Sequence, residues 1–120
     1  MQCTACFLIG THAQESKNND ANQALAAQGA TIVPYDVAGP DATAPLRGVD
    51  VLISTVGGYG LSQQPTLVDA AVAAGVRLFV PAEWGDVNDG RPQPVFQMKT
   101  ALLAHAAARG LPTTAFCNGP

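Results

Sequence analysis

The stretch from residue 48 to residue 85 constrains the fold more than any other part of this sequence. In order, it contains an apolar run, a glycine pair, an alanine-rich helical pattern and a second apolar run, at residues 51–56, 57–58, 66–74 and 77–80. A strand, a glycine turn, a helix and a second strand in this order form a βαβ unit. The carboxyl ends of its two parallel strands meet at one edge of the sheet, where such folds bind ligands.

A helical pattern followed by a glycine and then by a strand pattern occurs three times. The helices are predicted at residues 22–28, 66–74 and 96–109, the glycines are Gly29, Gly75 and Gly110, and the strands follow at residues 30–35, 76–80 and 113–117. Glycine suits the left-handed position that ends a helix. Residues 5–9 are a further short strand candidate, and Ser62 is a candidate N-cap. The alternation predicts an α/β fold, with a parallel sheet and flanking helices, in one domain over residues 1–120.

Composition excludes several classes of protein. Hydrophobic residues make up 48% of the 120-residue chain and charged residues only 12%, as buried parallel strands require. The net charge of -3 and the scattered basic residues argue against nucleic acid as a partner. No apolar run approaches the roughly 20 residues of a membrane helix, and the N-terminus shows no secretory signal. We therefore expect neither nucleic acid nor a membrane among the partners.

The cysteines and histidines indicate no metal site. The three cysteines are an odd number, which suits a reducing compartment, and we expect a cytoplasmic protein. Cys3 and Cys6 form a C-x-x-C pair, which is found in redox and metal sites, but residues three apart on a strand point to opposite faces. No second pair completes a zinc site. His12 and His105 lack partners at metal spacing and are expected on the surface.

Lys99 is the most interesting candidate for chemistry. On a helix over residues 95–109, the apolar positions are Val95, Met98, Leu102, Leu103, Ala106 and Ala107. Lys99 therefore lies on or beside the stripe that faces the core. A lysine held against apolar surface is desolvated and is suited to proton transfer. The alternative, which periodicity alone favours, is a lysine whose stem covers the helix edge while its ammonium reaches water.

Three further positions allow both a functional and a structural interpretation. Gly57 and Gly58 follow a strand and precede a helix, where glycine lets a ligand approach the backbone, but an ordinary turn would also use them. Asp36 closes a strand and could bond a ribose or an adenine amino group, or cap its own turn. Glu83 follows a strand at the same edge and could contact substrate or bond loop amides, of which we favour the second.

Taken together, these residues resemble the NmrA-like family, which includes isoflavone reductase-like enzymes among the atypical short-chain dehydrogenases. The resemblance rests on residues 48–57, 67–71, 74–85, 110–113 and 118–119, together with Gln64 and Lys99. It extends over most of the chain from about residue 24. Ala82 stands where the family usually has serine, and Trp84 where it usually has phenylalanine.

The resemblance implies a Rossmann-type domain that binds NADP or NAD. By this analogy, the adenosine half of the dinucleotide would be contacted by Asp36, Val37, Thr55, Val56, Gly57 and Gly58. The nicotinamide end would lie near Pro81, Ala82 and Glu83. Lys99 matches the lysine that such reductases use for proton transfer and for contact with the nicotinamide ribose. The small-molecule substrate is not identified by the sequence.

The main departure from the family is the beginning of the chain. Family members start with a strand and a Gly-x-x-Gly-x-x-Gly turn that binds the pyrophosphate, whereas here the residues that directly follow Gly10, 11–14, contain no further glycine. We therefore expect a truncated domain that lacks the usual first strand and glycine-rich loop, with weaker dinucleotide affinity. The strand at residues 5–9 is expected to pair with the strand at residue 51, in the order 31, 5, 51, 78, 113. Two separate half-sheets would instead expose edges that favour self-association.

Three functional hypotheses follow. The first is an NAD(P)-binding protein of reductase ancestry, in whose full-length relatives a hydride passes to a small substrate, with aromatic compounds among the candidates, while Lys99 relays a proton. The second is a non-catalytic dinucleotide sensor or interaction module. The third is a fragment without independent activity.

Overall fold

Three parallel strands form the sheet in the computed structural model, which describes residues 5–8, 20–88 and 90–119. The elements are β1 (Ala5–Leu8), α1 (Asp20–Ala27), β2 (Val51–Ser54), α2 (Gln64–Ala74), β3 (Leu78–Val80) and α3 (Pro94–Ala108), with single 3₁₀ segments at Ala44–Leu46 and Gly58–Gln63. The strand order is β1-β2-β3, with Ala5 opposite Val51 and Val51 opposite Leu78. The α/β class, the parallel sheet and the direct pairing of β1 with β2 are thus confirmed.

The two outer strands of the predicted sheet are reduced or missing. Thr113 makes an isolated parallel bridge with Phe79, so the strand predicted at residues 113–117 has the expected place but not the expected length. Residues 30–35 are not a strand, and this prediction was wrong. Pro34 has no amide hydrogen to donate to a ladder, and Ile32 and Val33 are exposed, so burial does not stabilise an extended segment there.

Glycines end the helices as the sequence predicts. Gly75 is the left-handed C-cap of α2, with φ of 84°, and its amide donates to the carbonyl groups of Ala71 and Val72. Gly29 and Gly110 also have positive φ, at 94° and 71°. The predicted N-cap was wrong, because Ser62 lies within the 3₁₀ segment Gly58–Gln63 and Gln63 precedes α2.

The core lies between the sheet and one layer made by α2 and α3. Leu52 of β2 and Phe79 of β3 are fully buried, and they pack with Leu67 and Val68 of α2 and with Leu102 of α3. The burial of α3 differs from the prediction, since Val95 and Met98 are exposed. The buried stripe runs through Lys99, Leu102 and Ala106 instead, at the i, i+3 and i+7 spacing of one helix face. This register points Lys99 at the sheet.

Candidate active site at the carboxyl edge of the sheet

The carboxyl ends of β2 and β3 are joined by a side chain. The indole Nε1 of Trp84 donates a 2.8 Å hydrogen bond to the carbonyl oxygen of Ser54, the last residue of β2. The ring of Trp84 also stacks on Phe116, with the two planes 3° apart and the centroids 6.2 Å apart. The chain after β3 is thereby held across the end of β2, so the two strand ends form one continuous rim.

Gln64 fixes the turn that follows β3. It is the first residue of α2 and is only 2% exposed, and its Oε1 accepts a 2.9 Å hydrogen bond from the amide of Ala82. The amide of Glu83 donates to the carbonyl oxygen of Pro81 at 2.8 Å, which tightens the same turn. Because a buried amide without a partner is costly, this side chain is a structural requirement for the turn. The turn in turn sets the direction of the Glu83 side chain.

Glu83 and Lys99 form a buried ion pair. The Nζ of Lys99 lies 3.5 Å from Oε2 of Glu83, and the two side chains are only 9% and 1% exposed. The prediction that Lys99 lies on the buried stripe is confirmed, and the alternative of an ammonium that reaches water is wrong. The prediction that Glu83 bonds loop amides was also wrong, because within the described residues neither of its carboxylate oxygens accepts a hydrogen bond.

Several polar atoms near this rim are buried without a hydrogen-bond partner among the described residues. They are both carboxylate oxygens of Glu83, the hydroxyl of Ser54 and Oε1 of Gln63. Ser54 lies on the same face of β2 as the core residue Leu52, since alternate strand residues share a face. Buried polar groups are normally paired, and such orphans are expected where a ligand or ordered water completes the bonding. The site is therefore polar, and several of its buried atoms have hydrogen-bonding capacity that the described residues do not fill.

The turn after β2 leaves its backbone accessible. Thr55, Gly57 and Gly58 are exposed and Val56 is half-buried. A Cβ atom placed on Gly57 would meet nothing within 4 Å, and its φ of -106° is allowed for any residue. Nothing in the described protein therefore requires glycine at this position. Gly58 differs, because its φ of 38° is in the region that favours glycine.

Asp36 and Val37 lie in a separate turn. Oδ1 of Asp36 accepts a 3.0 Å hydrogen bond from the amide of Ala38, which is the turn-capping arrangement that the sequence left open. Asp36 is nevertheless exposed, whereas Val37 packs against the core. In the described part of the chain, no hydrogen bond or ion pair joins Asp36 to Lys99 or Glu83.

The loop from residue 85 to residue 93 is anchored on α3. Arg91 pairs with Asp86 and lies over the ring of Phe96, with 5.3 Å from its guanidinium carbon to the ring centroid. The Nδ2 of Asn88 donates to the carbonyl oxygen of Phe96 and to the hydroxyl of Thr100, at 3.2 Å and 3.0 Å. These contacts attach the loop to Phe96 and Thr100 of α3 and were not predicted from the sequence.

The described residues lack two features. They contain no group of three histidine, cysteine, aspartate or glutamate side chains that could hold a metal ion. Nor does any of their helices have the length and hydropathy needed to span a membrane.

His105 is half-exposed, and its Nε2 lies 2.9 Å from Oδ1 of Asp69, so its ring is hydrogen-bonded to a residue of α2. Cys3 and His12 lie outside the described residues.

Comparison with known proteins identifies the family and some of its members. The NmrA-like family model matches residues 8–119. An oxidoreductase of Aspergillus flavus is 41% identical over 83 residues, which are 62% of this chain and 28% of that protein. An isoflavone reductase homologue of Nicotiana tabacum is 36% identical over 80 residues, or 61% of this chain and 26% of that protein.

Solved structures share the fold. Leucoanthocyanidin reductase of Vitis vinifera, in a ternary complex, superposes with a TM-score of 0.72 at 27% identity, covering 81% of this chain and 36% of that one. An NADPH-dependent quinone oxidoreductase of Escherichia coli, complexed with NADPH, gives 0.69 at 30% identity, covering 84% and 37%. The chain thus spans little more than a third of these structures. With a family model that matches nearly its whole length, this chain belongs to the NmrA-like family, a family of NAD(P)-binding, isoflavone reductase-like proteins.

Proposed function

We propose that residues 1–120 form one partial domain that binds NADP(H) or NAD(H) across the carboxyl edge of β2 and β3, in a protein of reductase ancestry. The observation that carries the proposal is the buried ion pair between Lys99 and Glu83 at this edge. Open α/β sheets bind ligands outside the carboxyl ends of their strands. A desolvated ammonium there is suited to proton transfer, whereas a lysine with only a structural role is more often exposed.

The adenosine half of the dinucleotide is assigned to the turns after β2 and at residue 36. Thr55, Val56, Gly57 and Gly58 offer exposed backbone, and the space above Gly57 is open to a ligand. The exposed carboxylate of Asp36 can accept a hydrogen bond from a ribose hydroxyl while Val37 anchors its turn in the core. The quinone oxidoreductase relative was solved with NADPH, which supports a dinucleotide as the ligand.

The nicotinamide end is assigned to Pro81, Ala82, Glu83 and Lys99. The buried oxygens of Glu83, which accept no hydrogen bond from the described residues, and the ammonium of Lys99 fit a ligand that carries hydroxyl or amide groups. The bound cofactor, when reduced, supplies the hydride. The role of the chain is to orient the ligand and to hold a proton on Nζ of Lys99, from which it can pass to an oxygen of the substrate.

The substrate is proposed to be a small molecule with aromatic character, in a cytoplasmic protein. The relatives named above are an isoflavone reductase homologue, a leucoanthocyanidin reductase and a quinone oxidoreductase. The chain spans only 28% of the Aspergillus flavus oxidoreductase. We therefore propose substrate turnover for longer relatives and not for this chain by itself.

Calorimetric titration of the purified chain with NADPH and with NADH tests this proposal. Binding of either cofactor is expected, and Asp50→Asn at the opposite edge of the sheet is the matched control that should leave it unchanged. Lys99→Ala should weaken binding through the lost ribose contact. Absence of heat at millimolar cofactor, in a chain that unfolds cooperatively, would overturn the proposal. Because turnover is proposed only for longer relatives, binding without oxidation of NADPH by this chain agrees with reductase ancestry and with a dinucleotide-sensing role alike.

A further inference from the structure

The Glu83 carboxylate is buried, and its charged partner among the described residues is Lys99. Glu83 is 1% exposed, and the ammonium of Lys99 lies 3.5 Å away. Within the described residues neither carboxylate oxygen accepts a hydrogen bond. A buried carboxylate without hydrogen bonds lowers the free energy of unfolding. A buried ion pair stabilises a protein only when its remaining hydrogen-bonding capacity is also satisfied. Stability alone therefore does not explain why an acidic side chain occupies this position.

The direction of Glu83 is set by a second buried polar residue. Gln64 accepts the amide hydrogen of Ala82, and the amide of Glu83 is bonded to Pro81, so both amides of this turn are fixed. The backbone that carries Glu83 is thus held by α2, while Lys99 comes from α3. A chain of contacts runs from Gln64 through Ala82 and Glu83 to Lys99.

From this arrangement we propose that Glu83 is a positioning residue for Lys99, and that Gln64 supports it through the Ala82 amide. Glu83 holds the ammonium inside the rim, where the stem of a long, flexible lysine would otherwise carry it to water. Its unfilled acceptor capacity leaves room for a hydrogen-bond donor of the ligand beside the ammonium. The consequence for proton transfer rests on the proposed function, whereas the position of the ammonium can be tested without any ligand.

The sequence offers a direct test, because Lys17 and Lys99 are its only lysines. The chain is treated with a limiting amount of an amine-acylating reagent, and mass spectrometry gives the extent of modification at each lysine. Lys17 serves as the internal standard for reagent dose. In Glu83→Gln, the ratio of Lys99 to Lys17 modification is expected to rise at least about tenfold over the unsubstituted chain, because an ammonium without its buried partner is expelled to solvent. Gln64→Met should raise the ratio by a smaller factor.

Two controls separate positioning from general loosening of the fold. Leu102→Val shortens a buried side chain on the same helix and destabilises the core, but it should leave the ratio unchanged. Asp86→Asn removes a carboxylate from the same loop with the same change in charge, and it should also leave the ratio unchanged. An equal rise in Leu102→Val would overturn the proposal, as would an unchanged ratio in Glu83→Gln. If Glu83→Gln does not fold, Gln64→Met decides in the same way.

Failure of this proposal is distinguishable from failure of the proposed function. If the cofactor does not bind while Glu83→Gln still frees Lys99, the positioning role stands and the dinucleotide site falls. If the cofactor binds normally and the Lys99 ratio does not change in Glu83→Gln, the positioning role falls and the dinucleotide site stands. NADPH added to the unsubstituted chain should protect Lys99 from modification, which links the two proposals.

Discussion

Two ion pairs lie at opposite edges of the same sheet, and each joins its partners at 3.5 Å. At the amino edge, Nη1 of Arg77 pairs with Oδ1 of Asp50, and the two side chains are 64% and 30% exposed. At the carboxyl edge, Lys99 meets Glu83, with side chains 9% and 1% exposed. From distance alone, the two pairs would be expected to contribute equally to stability. Burial separates them, because water screens the first pair and is excluded from the second.

The comparison also separates structure from function within one sheet. The amino-edge pair lies beside the start of β2 and β3, where the amides of Arg77 and Leu78 both donate to the carbonyl oxygen of Asp50 at 3.0 Å. The carboxyl-edge pair lies among polar atoms that lack partners in the described residues. The first edge is satisfied by its own backbone. At the second edge, the buried oxygens of Glu83 and Ser54 need hydrogen-bond donors from a ligand or from ordered water.

The largest expected effect on stability comes from breaking the buried pair. Glu83→Gln removes the charge partner of the buried Lys99 ammonium, and expelling that ammonium to water disrupts the packing around it, so the free energy of unfolding should fall by about 3 kcal/mol. Urea unfolding followed by circular dichroism measures the change. The double variant Glu83→Leu/Lys99→Met should recover most of the loss, because it removes both charges and keeps apolar volume. A loss below about 1 kcal/mol in the single variant would show that this pair behaves like a surface pair.

The next effect concerns the turn that carries Glu83. Gln64→Leu keeps the volume of the side chain but leaves the buried Ala82 amide without its acceptor, at a cost of about 1–3 kcal/mol. The same urea titration measures it. Gln63→Leu is the matched control, because Oε1 of Gln63 has no partner among the described residues and its loss should cost less. Equal costs for the two variants would contradict the role assigned to Gln64.

A smaller effect is expected at the amino edge. Asp50→Asn should cost no more than about 1 kcal/mol, and the cost should shrink as salt is raised, since exposed charges are screened. Urea unfolding at low and high sodium chloride measures both quantities. A salt-independent loss as large as that of Glu83→Gln would remove the distinction between the two edges.

The smallest effect on stability is expected at Gly57. Gly57→Ala should leave the free energy of unfolding unchanged or slightly raised, because its φ of -106° suits alanine and the added methyl group meets nothing within 4 Å. If the dinucleotide lies against this backbone, NADPH affinity should nevertheless fall by about tenfold or more, or about 1.4 kcal/mol. Calorimetry and thermal unfolding on one sample give both values. An unchanged affinity would move the ligand away from this turn.

Local physical rules account for the parts of the fold that the sequence predicts. Gly29, Gly75 and Gly110 have positive φ because many helices end with a left-handed residue, a conformation that glycine adopts without strain. The strand predicted at residues 30–35 failed because a strand depends on a neighbour and on burial, neither of which is encoded locally. The exposed Val95 and Met98 show the same limit, since several faces of α3 are apolar and packing selects one.

The site was predicted only residue by residue. Lys99 and Glu83 are 16 positions apart in sequence, and Gln64 and Ala82 are 18 apart. Local sequence patterns therefore do not predict these contacts. Two signals were nevertheless present. Gln64 occupies the first position of an i, i+3, i+4, i+7 stripe with Leu67, Val68 and Ala71, which marks it as buried. Ser54 shares the buried alternation of Leu52, which marks a hydroxyl in the core.

The most direct test of the central claim is a backbone amide NMR spectrum of the ¹⁵N-labelled chain during titration with NADPH. If the carboxyl edge is the dinucleotide site, the amide signals that shift will cluster at residues 55–58 and 82–84, while the signals of Asp50 and Arg77 at the amino edge will not change. Saturable shifts at the amino edge, or no shifts at millimolar NADPH, would contradict the account.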